Sequence, residues 1–204
     1  MNNDTARNDR VILIAFGANL PTEEDGAPAD TLNAALRRLT EDGDISVANV
    51  SPFYETAPVP VSDQPWYVNG VARLETALGA HDLLARLHHV EAEFGRVRRE
   101  RNEARVIDLD LIAYGDDLLI EEGGIQVPHP RMHQRAFVLL PLRDIVLVWH
   151  HAQFLCAIHD RFLFRLAVQL LRFRSGYVLI SQRCGSLRWL HSRNTLHATL
   201  LRSF

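Results

Sequence analysis

Two stretches of helical periodicity alternate with stretches of period-two alternation, and that order constrains the fold more than any other feature of the chain. Leu32, Ala35, Leu36 and Leu39 recur at helical spacing as far as Gly43, with Asp30 or Thr31 expected as the cap. Leu83, Leu87, Val90 and Phe94 recur at intervals of four, three and four, and Gly95 supplies a left-handed stop. Around these helices "RVILIAFGANL" reads as a buried strand running into a turn. The stretch from Asp44 to Leu78 reads as two strands joined by a stiff connection carrying Pro52, Pro58, Pro60 and Pro65, and "ARVIDLDLIAYG" reads as the last strand. The order strand, helix, strand, strand, helix, strand predicts an α+β, ferredoxin-like split βαβ fold, with an antiparallel sheet and helices packed on it.

The charge distribution sets the limits of that unit. Residues 1–145 hold 24 acidic residues against 14 arginines, a net of −10, whereas residues 146–204 hold only Asp160 against eight arginines, a net of +7. A step of that size marks a boundary. The chain is therefore divided into a polar, disordered lead over 1–10, one domain over 11–145 and an atypical basic tail over 146–204. The acidic core argues against a general nucleic-acid binder. The polar start lacks the pattern of a secretory signal and no long apolar run is free of charge, so a cytoplasmic protein with no membrane partner is expected. Cys156 and Cys184 form neither a disulfide framework nor a zinc-site pair.

Within "ARVIDLDLIAYG" the period of two turns Ile107, Leu109 and Leu111 one way and Asp108 and Asp110 the other, with the two carboxylates roughly 7 Å apart. Such a pair repels itself, and burying it without compensation is costly. A hard divalent cation resolves the conflict, because Mg²⁺ takes one or two protein carboxylates and completes its shell with water and phosphate oxygens. The alternative is a plain solvent-facing strand. Just upstream, "GRVRRER" gathers Arg96, Arg98 and Arg99, with Arg101 and Arg105 following; this is either a solvated loop or a phosphate clamp. In "PHPRMHQRAFVLLPL", His129 sits between two prolines, and Arg135 and Phe137 follow at what reads as a strand entrance. Imidazole, guanidinium and an aromatic ring on one stiff segment suit a phosphate next to a flat heterocycle. On the strand "WYVNGVARLET", Tyr67 and Asn69 share the face opposite Val68, Ala72 and Leu74. The common nucleotide-loop, hydrolase and zincin signatures are absent, so a nucleotide site here must be built differently.

Taken in order, "GANL", "SPFYETAPVPVSDQPWYVNGVARLET", "LLARLHHVEAEFGRVRRERNEARVIDLDLIAYG" and "VPHPRMHQRAFVLLPL" resemble the 6-hydroxymethyl-7,8-dihydropterin pyrophosphokinases of folate biosynthesis, over about residues 11–145. The resemblance implies transfer of pyrophosphate from MgATP to the pterin hydroxymethyl group, with release of AMP. It implies that Asp108 and Asp110 hold two Mg²⁺ ions against ATP. Tyr67 and Phe137 would sandwich the pterin, Asn69 and the stretch from Thr56 to Val59 would bond its polar edge, and Gly17 would open that end of the first strand. Arg96 and Arg98 would act in catalysis, and Glu91, Arg99, Arg105, His129 and Arg135 would serve ATP. Association with neighbouring folate enzymes is a further implication. Two departures from the family pattern are Ala18 in "GANL", where serine is frequent, and Asn102, where some members carry tryptophan.

The tail departs altogether. Its reversed charge, both cysteines and half of the ten histidines read either as the product of a reading-frame shift near residue 146 or as a basic amphipathic extension. In the second reading, Arg161, Arg165 and Arg172 share a helix face suited to a membrane surface or a partner helix. Composition favours the first. The functional alternatives are a non-enzymatic ferredoxin-like binding module, for instance for RNA, or a chain inactivated by its tail.

Overall fold

The computed structural model describes residues 10–58, 62–96, 104–146, 170–173 and 176–179, the last two stretches by their backbone alone. Strand β1 (Ile12–Ala18) lies between β4 (Tyr67–Thr76) and β5 (Asp108–Tyr114), antiparallel to both. The far edge of β4 is shared by β2 (Ile45–Val50) and β3 (Tyr54–Thr56). Two strands were expected in this stretch and three are present, because a three-residue strand forms inside the proline-bearing connection. Ser51 closes the gap between β2 and β3: its amide donates to the Val71 carbonyl at 2.9 Å, and its hydroxyl accepts the Val71 amide at 3.0 Å. The ladder along β4 thus stays hydrogen-bonded where the chain changes strand.

Helices α1 (Pro28–Thr40) and α2 (Ala80–Glu93) cover one face of the sheet. Ile12, Ile14, Phe16, Ala72, Leu74, Leu109 and Leu111 point into that layer and meet Leu32, Leu39, Leu83, Leu87 and Val90. Each of those helix residues is at most 1% exposed, and burying one such side chain contributes roughly 1.5–3 kcal/mol. The expected cap at Asp30 or Thr31 is not there. Pro28 opens α1 with its backbone angle already set, Ala27 is the cap residue, and Thr31 is buried one turn inside. The stop after α2 is as expected: Gly95 has φ +76°.

The opposite face carries α3 (Ala136–Ile145), packed on Leu13, Val71, Ile112 and Ala113 through Val138 and Leu142. Arg135 and Phe137, expected at a strand entrance, instead stand at the cap and in the first turn of this helix. The run "AFVLLPLRDI" is apolar nearly all round and contains Pro141, so neither periodicity nor propensity marked it as helical. In β5 the register slips opposite Leu13 and Ile14, a bulge at Ile112, and the Ile112 carbonyl accepts the His129 amide at 2.9 Å. This bond ties the proline-flanked loop to the sheet. A separate ribbon joins β6 (Leu119–Ile120) to β7 (Gln126–Val127).

Of the tail, the backbone of β8 (Leu170–Phe173) and β9 (Gly176–Leu179) extends the sheet outward from β3. Arg172 accordingly lies on a strand and not on the expected helix face; Arg161, Arg165, Cys156 and Cys184 lie outside the described residues, as do residues 1–9. No helix among the described residues is long and apolar enough to cross a membrane. The antiparallel sheet with its packed helices is the α+β, ferredoxin-like arrangement read from the sequence.

Candidate active site

Strand register lays the site out in rows. On the α3 side of the sheet, Asn69, Gly17 and Asp108 stand abreast on β4, β1 and β5, and Val71, Ala15 and Asp110 form the next row. The middle strand contributes only small residues, so the centre of the sheet is a floor flanked by an amide on one side and two carboxylates on the other. Gly17 has to be small. A Cβ there would lie 2.7 Å from Asn69 Oδ1, inside any tolerated contact. Asn69 itself is 7% exposed and donates through Nδ2 to Thr56 Oγ1 at 2.9 Å, which leaves its carbonyl over Gly17.

Above this floor is a cavity of about 320 Å³, large enough for a small heterocycle and part of a phosphate chain. Thr56, Ala57, Pro58 and Tyr67 line it from β3 and the start of β4. Asp108 and Asp110 line it from β5, Arg105 from the segment leading into β5, and Arg135 and Phe137 from the cap and first turn of α3. The Arg135 guanidinium lies 5.5 Å from the centre of the Phe137 ring, so the cation and the aromatic surface are held as a unit.

The two aspartates differ electrostatically. Asp108 is held by Arg96 at 2.7 Å and by Arg105 at 2.6 Å. Among the described residues, Asp110 pairs with Arg135, at 3.5 Å. Burial pushes the Asp110 carboxyl up to about 6, and the adjacent Asp108 charge adds to that rise against the pull of Arg135, Arg96 and Arg105. Arg96 is set by Glu91, a 2% exposed carboxylate on α2 whose Oε1 also accepts the Leu109 amide at 2.6 Å. A residue on the helix-covered side of the sheet therefore grips the backbone between the two aspartates and the arginine that serves one of them.

Of the residues singled out in the sequence, Gly17, Thr56, Tyr67, Asn69, Arg105, Asp108, Asp110, Arg135 and Phe137 come together around one cavity. Arg96 reaches it through Asp108. Glu91 and His129 do not line it. His129 is half-buried beside Arg135 and Arg131, and burial, aided by those two charges, lowers it to about 4, so its ring is neutral at pH 7. Val59, Arg98 and Arg99 lie outside the described residues.

Sequence reasoning missed Asn19. It is 1% exposed, donates to the Pro65 carbonyl at 3.1 Å and accepts the Arg105 amide at 2.8 Å. It thereby pins the segment entering β5 to the loop entering β4. Gln64 was missed as well, and it accepts the Tyr67 hydroxyl at 3.2 Å. The only signal for Asn19 was its place in "GANL"; Gln64 had none beyond its neighbours.

Known proteins resemble this chain over the same span. The family model of 7,8-dihydro-6-hydroxymethylpterin-pyrophosphokinase matches residues 13–147. The chain is 40% identical over 132 residues to the 2-amino-4-hydroxy-6-hydroxymethyldihydropteridine pyrophosphokinase of Haemophilus influenzae, covering 65% of this chain and 79% of that protein. It is 40% identical over 134 residues to the protein of the same name from Pseudomonas aeruginosa, covering 66% and 79%. It is also 36% identical over 138 residues to the mitochondrial folate synthesis bifunctional protein of Pisum sativum, covering 68% of this chain and 25% of that one. The chain belongs to the 7,8-dihydro-6-hydroxymethylpterin-pyrophosphokinase family.

Proposed function

We propose that the cavity between β1, β3, β4, β5 and α3 is where this chain carries out its family's reaction, the transfer of pyrophosphate from MgATP to 6-hydroxymethyl-7,8-dihydropterin. The observation that carries the reading is that Asp108 and Asp110 open onto the same cavity as Tyr67, Asn69 and Phe137, which gives a pterin and part of a metal-bound phosphate chain adjoining places. Tyr67 and Phe137 offer aromatic surfaces to the ring, and Asn69 and Thr56 offer polar atoms to its edge.

The carboxylates suit Mg²⁺. No cluster of three or more His, Cys, Asp or Glu is placed to hold a metal among the described residues, so the protein side is the Asp108 and Asp110 pair, with water and phosphate completing the shell. The reading assigns them two ions. Bound there, Mg²⁺ would neutralise the triphosphate and polarise its phosphoryl oxygens. Arg96, Arg105 and Arg135, joined by Arg98, Arg99 and His129, are assigned to the phosphates, and Glu91 to holding Arg96. The pterin hydroxymethyl oxygen attacks the β-phosphorus, the bond from that phosphorus to the α-phosphate oxygen breaks, AMP leaves with the bond's electron pair, and the hydroxyl proton is released to water. What the chain contributes is alignment and charge: floor and rings fix the nucleophile, and guanidinium groups offset the charge that spreads over the phosphoryl oxygens.

With purified protein, AMP should form from ATP only when both pterin and Mg²⁺ are present. The double substitution Asp108→Ala, Asp110→Ala should abolish it while leaving the circular dichroism spectrum native. Undiminished turnover in that variant would refute the metal assignment. The bifunctional relative supports association with other folate enzymes, which copurification from the source cell tests. A cytoplasmic location, with its supply of ATP, fits the same reading.

A further inference from the structure

We propose that Tyr54 and Asp144 form a clamp that sets the width of the pterin slot, making them positioning residues for substrate binding although neither lines the cavity. The inference rests on the reading of the cavity as the pterin site. The slot is bounded by the sheet, through Tyr67, Asn69 and Thr56, and by the first turn of α3, through Phe137. Ladder bonds fix β3 within the plane of the sheet, where Tyr54 pairs with Asn69 and Thr56 with Tyr67. They do nothing to fix the distance from sheet to helix, and the slot lies along that direction.

One side-chain contact between β3 and α3 runs along it. Tyr54 is 1% exposed, and its hydroxyl donates to Asp144 Oδ2 in a hydrogen bond to a charged group. Asp144 is seven residues beyond Phe137 on the same helix, hence on the same side of it two turns away. Arg143 lies 3.6 Å from Asp144 Oδ1, so a guanidinium stands beside the carboxylate that accepts the tyrosine bond. The Tyr54–Asp144 bond therefore anchors one end of α3 to the strand whose next residues shape the slot, and Thr56 passes that anchoring to Asn69 through their 2.9 Å hydrogen bond.

The test compares pterin and nucleotide affinities of the full chain, by titration with the pterin and with a non-hydrolysable MgATP analogue. Tyr54→Phe deletes one oxygen and keeps the ring, so the core stays filled. Loss of a hydrogen bond to a charged group should weaken pterin binding about tenfold and leave the analogue affinity unchanged. Asp144→Ala should reproduce the loss, Asp144→Asn, which keeps an acceptor oxygen, should restore most of it, and the Tyr54→Phe, Asp144→Ala pair should lose no more than either alone. Equal loss of both ligands, or failure of Asp144→Asn to rescue, would show a merely structural bond and overturn the clamp. Wild-type-like pterin affinity in Tyr54→Phe would overturn it too. If the wild-type chain binds no pterin, the cavity reading falls and the clamp with it, whereas wild-type binding that is lost in Asn69→Ala but intact in Tyr54→Phe removes the clamp alone.

Discussion

Asp110→Asn should make the ligand-free chain more stable and the enzyme inactive. In the folded state the Asp110 carboxyl sits at about 6 against an ordinary 3.8. Because the folded chain holds that proton more tightly than the unfolded chain, ionisation opposes folding: the penalty is fully present above pH 6 and absent below 3.8. A rise of this size corresponds to roughly 3 kcal/mol, already net of the attraction to Arg135. The side chain is still 37% exposed, and solvent screening reduces the figure to about 1 kcal/mol. An amide of the same shape carries no charge and escapes the penalty.

Urea unfolding at pH 7.5 without metal or nucleotide should therefore place Asp110→Asn about 1 kcal/mol above wild type, with the slope of the transition unchanged. The gap should close as the pH is lowered from 6 toward 4, since wild-type Asp110 then takes up its proton. Adding a MgATP analogue at a hundred times its dissociation constant should stabilise the wild type by about 2.7 kcal/mol and the variant far less, reversing the order. A variant less stable than wild type at pH 7.5, or a gap that does not change with pH, would refute the idea that the second carboxylate is a strained group kept for a cation.

Gly17→Ala puts a methyl group 2.7 Å from Asn69 Oδ1; displacing that amide should weaken pterin binding at least tenfold in titration calorimetry, with little change in analogue affinity. Glu91→Ala takes the acceptor from the buried Leu109 amide and the anchor from Arg96, and should cost about 2–4 kcal/mol in urea unfolding along with most of the turnover. His129→Asn should remove a part of the acid sensitivity: the folded chain holds the imidazole proton less tightly than the unfolded chain, so stability is lost as the pH falls from 6.5 toward 4, and the variant should lose less over that window than wild type.

The two faces of the sheet were legible because period-two alternation carries its own geometry. Tyr67 and Asn69 against Val68 and Ala72, and Asp108 and Asp110 against Leu109 and Leu111, needed only the pleat. The α1 and α2 layer was legible because its helices are amphipathic. What failed was short or uniform. Strand β3 has three residues, too few for any pattern, yet it brings Thr56 to Asn69. Helix α3 is apolar with an internal proline, so nothing in its pattern distinguished helix from strand, and Arg135 and Phe137 could be named as site residues without the helix that carries them. Asn19 reaches partners 46 and 86 residues away, and no local signal foretells bonds of that span. The candidate residues could be named one by one. That they share a cavity depends on α3 folding back over the sheet.

The inequality of the two aspartates is itself informative about how the site stays folded before substrate arrives. Both carboxylates share one strand face, and a chain that left both uncompensated would carry the full repulsion. Here Arg96 and Arg105 neutralise Asp108 at hydrogen-bond distance, while among the described residues Asp110 is paired with one more distant guanidinium and holds its proton more tightly. On the proposed reading the guanidinium groups on Asp108 are the same ones assigned to the phosphates. Binding of MgATP then exchanges internal ion pairs for ligand ion pairs of the same kind, so little uncompensated charge is exposed at any stage. That exchange requires arginines anchored from outside the cavity, and Glu91, buried on the far face of the sheet, provides such an anchor for Arg96.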